Sequence, residues 1–279
     1  MKIMVTGGAG FIGQYVQSRL QELAITPVVF DPAAYEQDDV TNIKSVNKAF
    51  NVVEPDAVIH LAGLLGTHEL WSTPGDAIDV NVKGALNVAQ WCLNNEIKMV
   101  SIEQPHVWYN VYEASKLAAR RMLTGMHYDQ GLQVEFVTAH NAFGPGQAYG
   151  EGHPRKILPT FSTLAWEGRP IEIWGDGYQQ VNLIYAGDVA AKLIERALTP
   201  TSDPLVEYQA GSKHLTTVGA VAQEVELYVQ QQTGDYCGVT RVGERLGEQN
   251  QFEYPEPDDS YEFNVHRHQL VRTIESYKP

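Results

Sequence analysis

Nine residues near the start of the chain, Val5-Thr6-Gly7-Gly8-Ala9-Gly10-Phe11-Ile12-Gly13, constrain its fold more than any other stretch. The short apolar run Lys2–Thr6 reads as a buried strand, and Phe11–Glu22 carries helical spacing. Between them the glycines fall at GxxGxxG. Gly7 allows a sharp turn, Gly10 lets a bound group approach the backbone, and Gly13 lets the helix pack on the strand. The unpaired N–H groups at the helix start, with Phe11 and Ile12 in its first turn, then face an anion together with the positive end of the helix dipole.

The pattern repeats downstream. Strands are predicted at Pro27–Phe30, Asp56–Leu61, Lys98–Ile102 and Gln133–Ala139, and helices at Ile43–Val53, Asp76–Asn94 and Val111–Asp129. Five strands and four crossovers make an α/β fold, a doubly wound parallel (Rossmann) sheet. After Asn141 glycines and prolines break the regularity before a helix at Ile157–Trp166. Val181–Tyr185 reads as a strand, Gly187–Leu198 as a helix, and Leu205–Ala210 as a strand able to rejoin the sheet. The expected division is a nucleotide-binding domain of residues 1–141 and 181–211, and a smaller, sequence-interleaved substrate lobe of residues 142–180 and 212–279. The acid-rich stretch Glu248–Asp259, with two prolines, reads as an irregular surface segment.

Asp31 follows the second strand, eighteen residues after Gly13. A carboxylate there accepts hydrogen bonds from adenosine ribose hydroxyls and repels an additional phosphate, and no Lys or Arg lies between Leu20 and Thr41. The ligand expected of this turn is therefore NAD rather than NADP. Asp39 and Val40 lie where a third strand should end and are candidates to border the adenine.

Composition narrows the partners. A net charge of −14 disfavours both nucleic acid and anionic membrane surfaces. Cys92 and Cys237 stand apart, in no metal-spaced cluster, and no signal or membrane-spanning run is evident, so a reducing cytoplasm is expected. His266-Arg267-His268 has the look of a metal pair on an alternating strand but lacks a third ligand, and no metal is expected.

Tyr112 and Lys116 are four apart at the start of a predicted helix and share one face. A phenol of pKa ~10 needs ~4 kcal/mol of help to lose its proton ~3 units lower, and a neighbouring ammonium supplies some of it. Together, Val5–Gly13, Asp31, Asp39-Val40, His60-Leu61-Ala62-Gly63, Asn81-Val82-Lys83-Gly84, Tyr112–Lys116, Asn141–Gly146 and Gly175-Asp176-Gly177 resemble the extended short-chain dehydrogenase/reductases, in particular the NAD-dependent nucleotide-sugar epimerase/dehydratase family. The resemblance implies Tyr112 as base at a sugar hydroxyl, with Lys116 lowering its pKa and holding the nicotinamide ribose. It implies that Leu61, Ala62, Gly63 and Asn81 line the cofactor, and that His140 and Asn141 face nicotinamide or substrate. It also implies a homodimer paired through the helices bearing Ala85, Val88, Ala89, Leu117, Ala118 and Met122.

Departures from that family leave the reaction open. Gln104 stands where relatives carry a Ser or Thr that bonds the reacting oxygen, if Trp108 is the aromatic that closes the loop; its amide donates but does not relay a proton as a hydroxyl does. His106 then falls where dehydratases carry an acid and is a candidate acid/base. Only three residues separate Trp108 from Tyr112, so a more open pocket is expected. Val181 replaces an Arg that meets the diphosphate in relatives; Arg155 and Lys156 are candidates to take over that charge. Epimerisation or dehydration of a nucleotide-linked sugar is the leading expectation. The alternatives are oxidation or reduction of a smaller hydroxy or keto compound, and a NAD-binding homologue without catalysis.

Overall fold

The structure is a computed structural model that describes residues 1–66, 69–105, 108–202, 205, 207–243, 253–257 and 267–279. The chain opens with β1 (Lys2–Thr6), α1 (Phe11–Glu22), β2 (Thr26–Phe30), α2 (Ile43–Val53) and β3 (Ala57–His60). Next come a short α3 (Pro74–Ala77), a π-helical stretch over Ile78–Gly84 and α4 (Ala85–Asn95), then β4 (Lys98–Glu103), α5 (Val111–Gln130) and β5 (Val134–Ala139). Among the described residues the main sheet has six strands. A later strand pairs parallel with β5 at its edge, giving the order β2-β1-β3-β4-β5 and then Glu207–Ala210. All pairings are parallel, so every crossover leaves and returns on a helix. The direction of winding reverses between β1 and β3, which opens a crevice at their carboxyl ends.

The second half adds β6 (Asn141–Phe143), α6 (Ile157–Trp166), β7 (Ile171–Trp174), β8 (Gln180–Val181), β9 (Leu183–Tyr185), α7 (Ala186–Leu198), β10 (Glu207–Ala210), β11 (Thr216–Thr217), α8 (Val218–Thr233), β12 (Val239–Val242) and α9 (Arg267–Glu275). Small two-stranded ladders join β11 to β8, β12 to β7 and β6 to β9. An apolar cluster of Phe143, Leu158, Phe161, Ile171, Val221 and Ile274, among others, holds this half together. Two further clusters fill the opposite faces of the main sheet, one under α1 and α7, the other under α2, α4 and α5. Among the described residues no helix is long and apolar enough to cross a membrane, and no group of three His, Cys, Asp or Glu is placed to hold a metal ion.

Several sequence expectations need correction. The helix predicted over Asp76–Asn94 begins earlier, at Pro74, and runs through the π-helical stretch. The strand predicted over Val181–Tyr185 breaks at Asn182, whose side chain bonds Ser212 N (2.6 Å) and Ser212 O (2.9 Å), so that β8 and β9 join different partners. No strand ends at Asp39-Val40. The Asp39 carboxylate instead accepts from Thr41 N and Thr41 Oγ1, both at 2.8 Å, closing a side-chain-stabilised turn. Arg267 and His268 open a helix rather than lying on an alternating strand, and His266 is outside the described residues. Ala85, Val88 and Ala89 are sealed inside the core against the sheet, so they are not on an external face; Leu117, Ala118 and Met122 are exposed.

Candidate active site

The crevice at the switch in strand order continues into a cavity of about 600 Å³ that reaches from the glycine turn to the second lobe of elements. At one end the chain leaves β1 at Gly7, which adopts φ +69°, and a Cβ there would lie 2.6 Å from Ala62 N. Turn and close approach together admit only glycine. Gly13 meets a similar limit, since its Cβ would stand 2.3 Å from Gly8 O. The helix thus packs on the turn itself. Thr6 Oγ1 and His60 Nδ1, 2.8 Å apart and buried, tie the ends of β1 and β3 together below.

Gly10 caps α1 without a side-chain bond, and the first turn of α1 holds no acid, so no cap or first-turn carboxylate competes with a bound anion for its N–H groups. A Cβ on Gly10 would meet only Gly7 O within 4 Å, at 3.1 Å. The remaining space beside Gly10 is cavity, as a closely held pyrophosphate requires. Asp31 stands at the rim with Oδ2 accepting from Ala9 N at 3.0 Å and Oδ1 from Ala33 N at 2.9 Å. Burial and the neighbouring Asp31 raise the carboxyl of Asp38. With Phe30, Pro32, Asp39 and Val40, Asp31 forms an acidic and apolar end wall suited to an adenosine and ill suited to an additional phosphate.

The residues named from sequence converge. Gly7, Gly10, Phe11, Ile12, Gly13, Asp31, Asp39, Val40, Leu61, Ala62, Gly63, Gln104, Tyr112, Lys116, His140, Asn141 and Arg155 all line the one cavity. His106 lies outside the described residues. Asn81 is buried and is not among the lining residues; its Oδ1 accepts from Leu64 N (2.7 Å) while Nδ2 donates to Leu64 O (3.1 Å) and Ser115 Oγ (2.9 Å). It therefore fixes the loop after β3 rather than forming the wall itself.

Tyr112 and Lys116 occupy the first turns of α5, which Asn110 caps by accepting from Glu113 N at 2.9 Å. Glu113 reaches back to accept from Trp108 N at 2.6 Å, so the short loop before α5 is held from both sides. Lys116 Nζ donates to Ile102 O at 2.8 Å and lies 3.6 Å from Glu103 Oε2. Burial pushes the Tyr112 phenol upward, and the nearby Glu103 and Glu113 carboxylates push it in the same direction. Sequence alone presents the lysine beside Tyr112 as a free cation. In the structure it is ion-paired.

Toward the second lobe the wall passes His140, Asn141, Gln147, Thr160, Trp174 and Gln179. Val181 is buried in the apolar cluster and brings no charge. Arg155 ion-pairs with Glu172 at 3.8 Å and holds its guanidinium 6.0 Å over the Trp174 ring. Sequence reasoning missed several wall residues, Glu103 and Tyr254 among them. Tyr254, from the stretch read as surface, stacks on His140 at 5.3 Å and donates its hydroxyl to Asn141 Oδ1 at 2.6 Å. An aromatic next to Pro255 within an acidic stretch was the only signal it left. Burial lowers the His140 imidazole, and its Nε2 meets Gln209 Oε1 at 3.3 Å, so this ring is a neutral platform.

Known proteins resemble this chain in sequence and in fold. A model of the NAD dependent epimerase/dehydratase family matches residues 3–204. The dTDP-glucose 4,6-dehydratase of Haemophilus influenzae is 26% identical over 235 residues, which cover 67% of this chain and 68% of that protein. Among solved structures, UDP-glucose 4-epimerase from Thermotoga maritima, determined with UDP-glucose, superposes with a TM-score of 0.88 at 20% identity, covering 100% of this chain and 99% of that one. The UDP-glucose 4-epimerase of Thermus thermophilus, determined with NAD, gives a TM-score of 0.84 at 21% identity with the same coverage. The glycine turn, the sheet order and the family match agree: this chain belongs to the NAD dependent epimerase/dehydratase family.

Proposed function

We propose that this protein alters a nucleotide-linked sugar by transient oxidation of the ring, with epimerisation as the leading outcome and dehydration as the variant. One observation carries the reading: a single cavity joins the glycine turn to Tyr112 and Lys116 and continues to Trp174 and Arg155. A dinucleotide site that ended at Lys116 would serve a small substrate. Here the extension leaves room for a long, bipartite molecule. The dehydratase and epimerases above act on such sugars by name, which supports the same substrate class here.

The chain's own residues divide the work as follows. Gly7, Gly10 and the first turn of α1 hold the pyrophosphate of NAD, and Asp31 accepts from the adenosine ribose. The chemistry NAD supplies when bound is reversible oxidation of an alcohol carbon. Tyr112 removes the proton from the sugar hydroxyl and returns it to the same oxygen, while Gln104 donates its amide N–H to that oxygen and Lys116 holds the nicotinamide ribose. Asn81 keeps the loop after β3 in place through Leu64. Arg155 and Lys156 supply the cationic contact to the diphosphate that Val181 does not. Residues 1–141 and 181–211 serve the dinucleotide, and residues 142–180 and 212–279 the sugar nucleotide.

The deciding experiment is NMR of a panel of nucleotide sugars incubated with wild type and Tyr112→Phe. Conversion by the wild type alone supports the reading; conversion of no candidate overturns it, while NAD binding would survive. We further propose a homodimer through α5, where Leu117 and Met122 remain 38% and 49% exposed on a stripe with Ala118. Met122→Glu is expected to yield a monomer in sedimentation, and a monomeric wild type would refute the pairing. The free thiols of Cys92 and Cys237 support a cytoplasmic setting, which cell fractionation tests.

A further inference from the structure

Glu103 ends β4 on the cavity wall, and its side chain is withdrawn from solvent. Its Oε1 accepts from Ser101 Oγ at 2.9 Å, and its Oε2 stands 3.6 Å from Lys116 Nζ. A carboxylate at this depth persists only with a cationic partner, and Lys116 is the cation in contact. That pairing has a cost for the neighbouring phenol. Two opposite full charges so close cancel most of their field at Tyr112, which the lysine alone would have acidified.

Among the described residues, the other charged groups around Tyr112 do not restore the effect. Glu113 adds a second acid on α5. His60, at the end of β3, is neutral, since burial and then the Lys116 charge push it down to about 3. Arg120, one turn beyond Lys116, is engaged with Glu207. Burial holds the Glu103 carboxyl above its ordinary value, and Lys116, Ser101 and Arg120 oppose that rise in part.

We propose that Glu103 balances the charge of Lys116 in this site, so that Tyr112 stays a neutral phenol in the free protein and becomes a base only when the cationic nicotinamide of oxidised NAD is bound. The inference rests on Tyr112 being the site's base, as argued above. Its consequence is a protein that is inert toward bare sugar hydroxyls until its oxidant is in place. Glu103 acts through Lys116 and Tyr112 and is a positioning residue in this scheme.

The test is a pH titration of phenolate absorbance in full-length wild type, Glu103→Gln and Glu103→Asp, each with and without saturating NAD⁺. Each is read as the difference from the same protein carrying Tyr112→Phe, which isolates Tyr112 among fourteen tyrosines. NAD⁺ is expected to lower the wild-type midpoint. Glu103→Gln should lower it by about one pH unit or more without any ligand, a tenfold or greater gain in phenolate at fixed pH. Glu103→Asp, which keeps the charge, should stay near wild type. An unmoved midpoint in Glu103→Gln, an equal fall in Glu103→Asp, or no response of the wild type to NAD⁺ would each overturn the proposal. Should Glu103→Gln not fold, the ¹³C carboxyl signal of Glu103, assigned by its loss in Glu103→Asp, decides: ionised at neutral pH is expected, and protonated refutes the charge balance. Neither readout involves a sugar, so failure to turn over nucleotide sugars leaves this result separate.

Discussion

Tyr254 donates its hydroxyl to Asn141 Oδ1 at 2.6 Å, across 113 residues of sequence. Asn141 N also donates to Asn182 O at 2.9 Å, so the tyrosine is fastened to the strand pair β6–β9 at the cavity wall. Removing only the hydroxyl, as in Tyr254→Phe, deletes one hydrogen bond worth about 0.5–1.5 kcal/mol. We expect KM for the converted sugar nucleotide to rise about two- to tenfold with kcat little changed. Tyr254→Ala, which also removes the stack on His140, should raise KM further. Steady-state kinetics on the substrate found by NMR checks both.

Gly10 separates folding from binding. Because a Cβ there meets Gly7 O alone within 4 Å, though at a tight 3.1 Å, Gly10→Val should fold with a melting temperature only modestly lowered. Its side chain would stand in the place of the pyrophosphate, and NAD affinity should fall about a hundredfold or more, ~2.7 kcal/mol. Gly13→Ala should behave differently, losing thermal stability as well, since its Cβ meets backbone at 2.3 Å. Calorimetric titration with NAD beside a thermal melt distinguishes the two.

Asp31→Asn keeps the shape of the rim but surrenders the charge. NAD should bind about tenfold more weakly, ~1.4 kcal/mol, and the preference over NADP should narrow because the repulsion of the additional phosphate is gone. Competition between the two dinucleotides in a fluorescence titration measures this. A preference for NAD that is unchanged in Asp31→Asn would move the source of selectivity elsewhere on the wall.

The acid limb of stability should trace to Glu135. Burial opposes its charge, yet Arg196 (2.7 and 3.0 Å), Ser202 N (2.8 Å) and Lys98 (3.3 Å) together hold the carboxyl below its ordinary value. A group lowered on folding contributes stability above its unfolded pKa and loses it as pH falls through the folded one. Glu135→Gln should therefore cost about 3–5 kcal/mol near neutral pH, and the gap to wild type should close in acid. Urea midpoints measured across that range give the answer.

Much of this was legible in the chain. Phe11–Glu22, Ile43–Val53 and Ile157–Trp166 carry their boundaries locally, in the glycine turn, in the Asn42 cap and in the glycines and proline before Ile157. The cavity residues from Gly7 to Lys116 follow from strand ends, because a parallel sheet gathers its carboxyl ends at one edge. What escaped depended on distant partners. Glu103 lay one residue past the predicted strand Lys98–Ile102 and drew no notice, because its contact with Lys116 requires β4 and α5 to be packed first. Asn182 breaks a strand through Ser212, thirty residues on, and Tyr254 reaches the wall from a stretch whose composition speaks only of solvent.

The π-helical stretch at Ile78–Gly84 holds about one residue more per turn than the α-helix that follows it. Deleting a single residue there would relax the backbone into ordinary register and rotate Asn81 by about 100° about the axis. The helix would gain regularity, and Leu64 would lose the amide that grips both its N–H and its carbonyl. Length in this helix is thus a functional quantity: a variant improved as a helix would be a poorer vessel for its ligand.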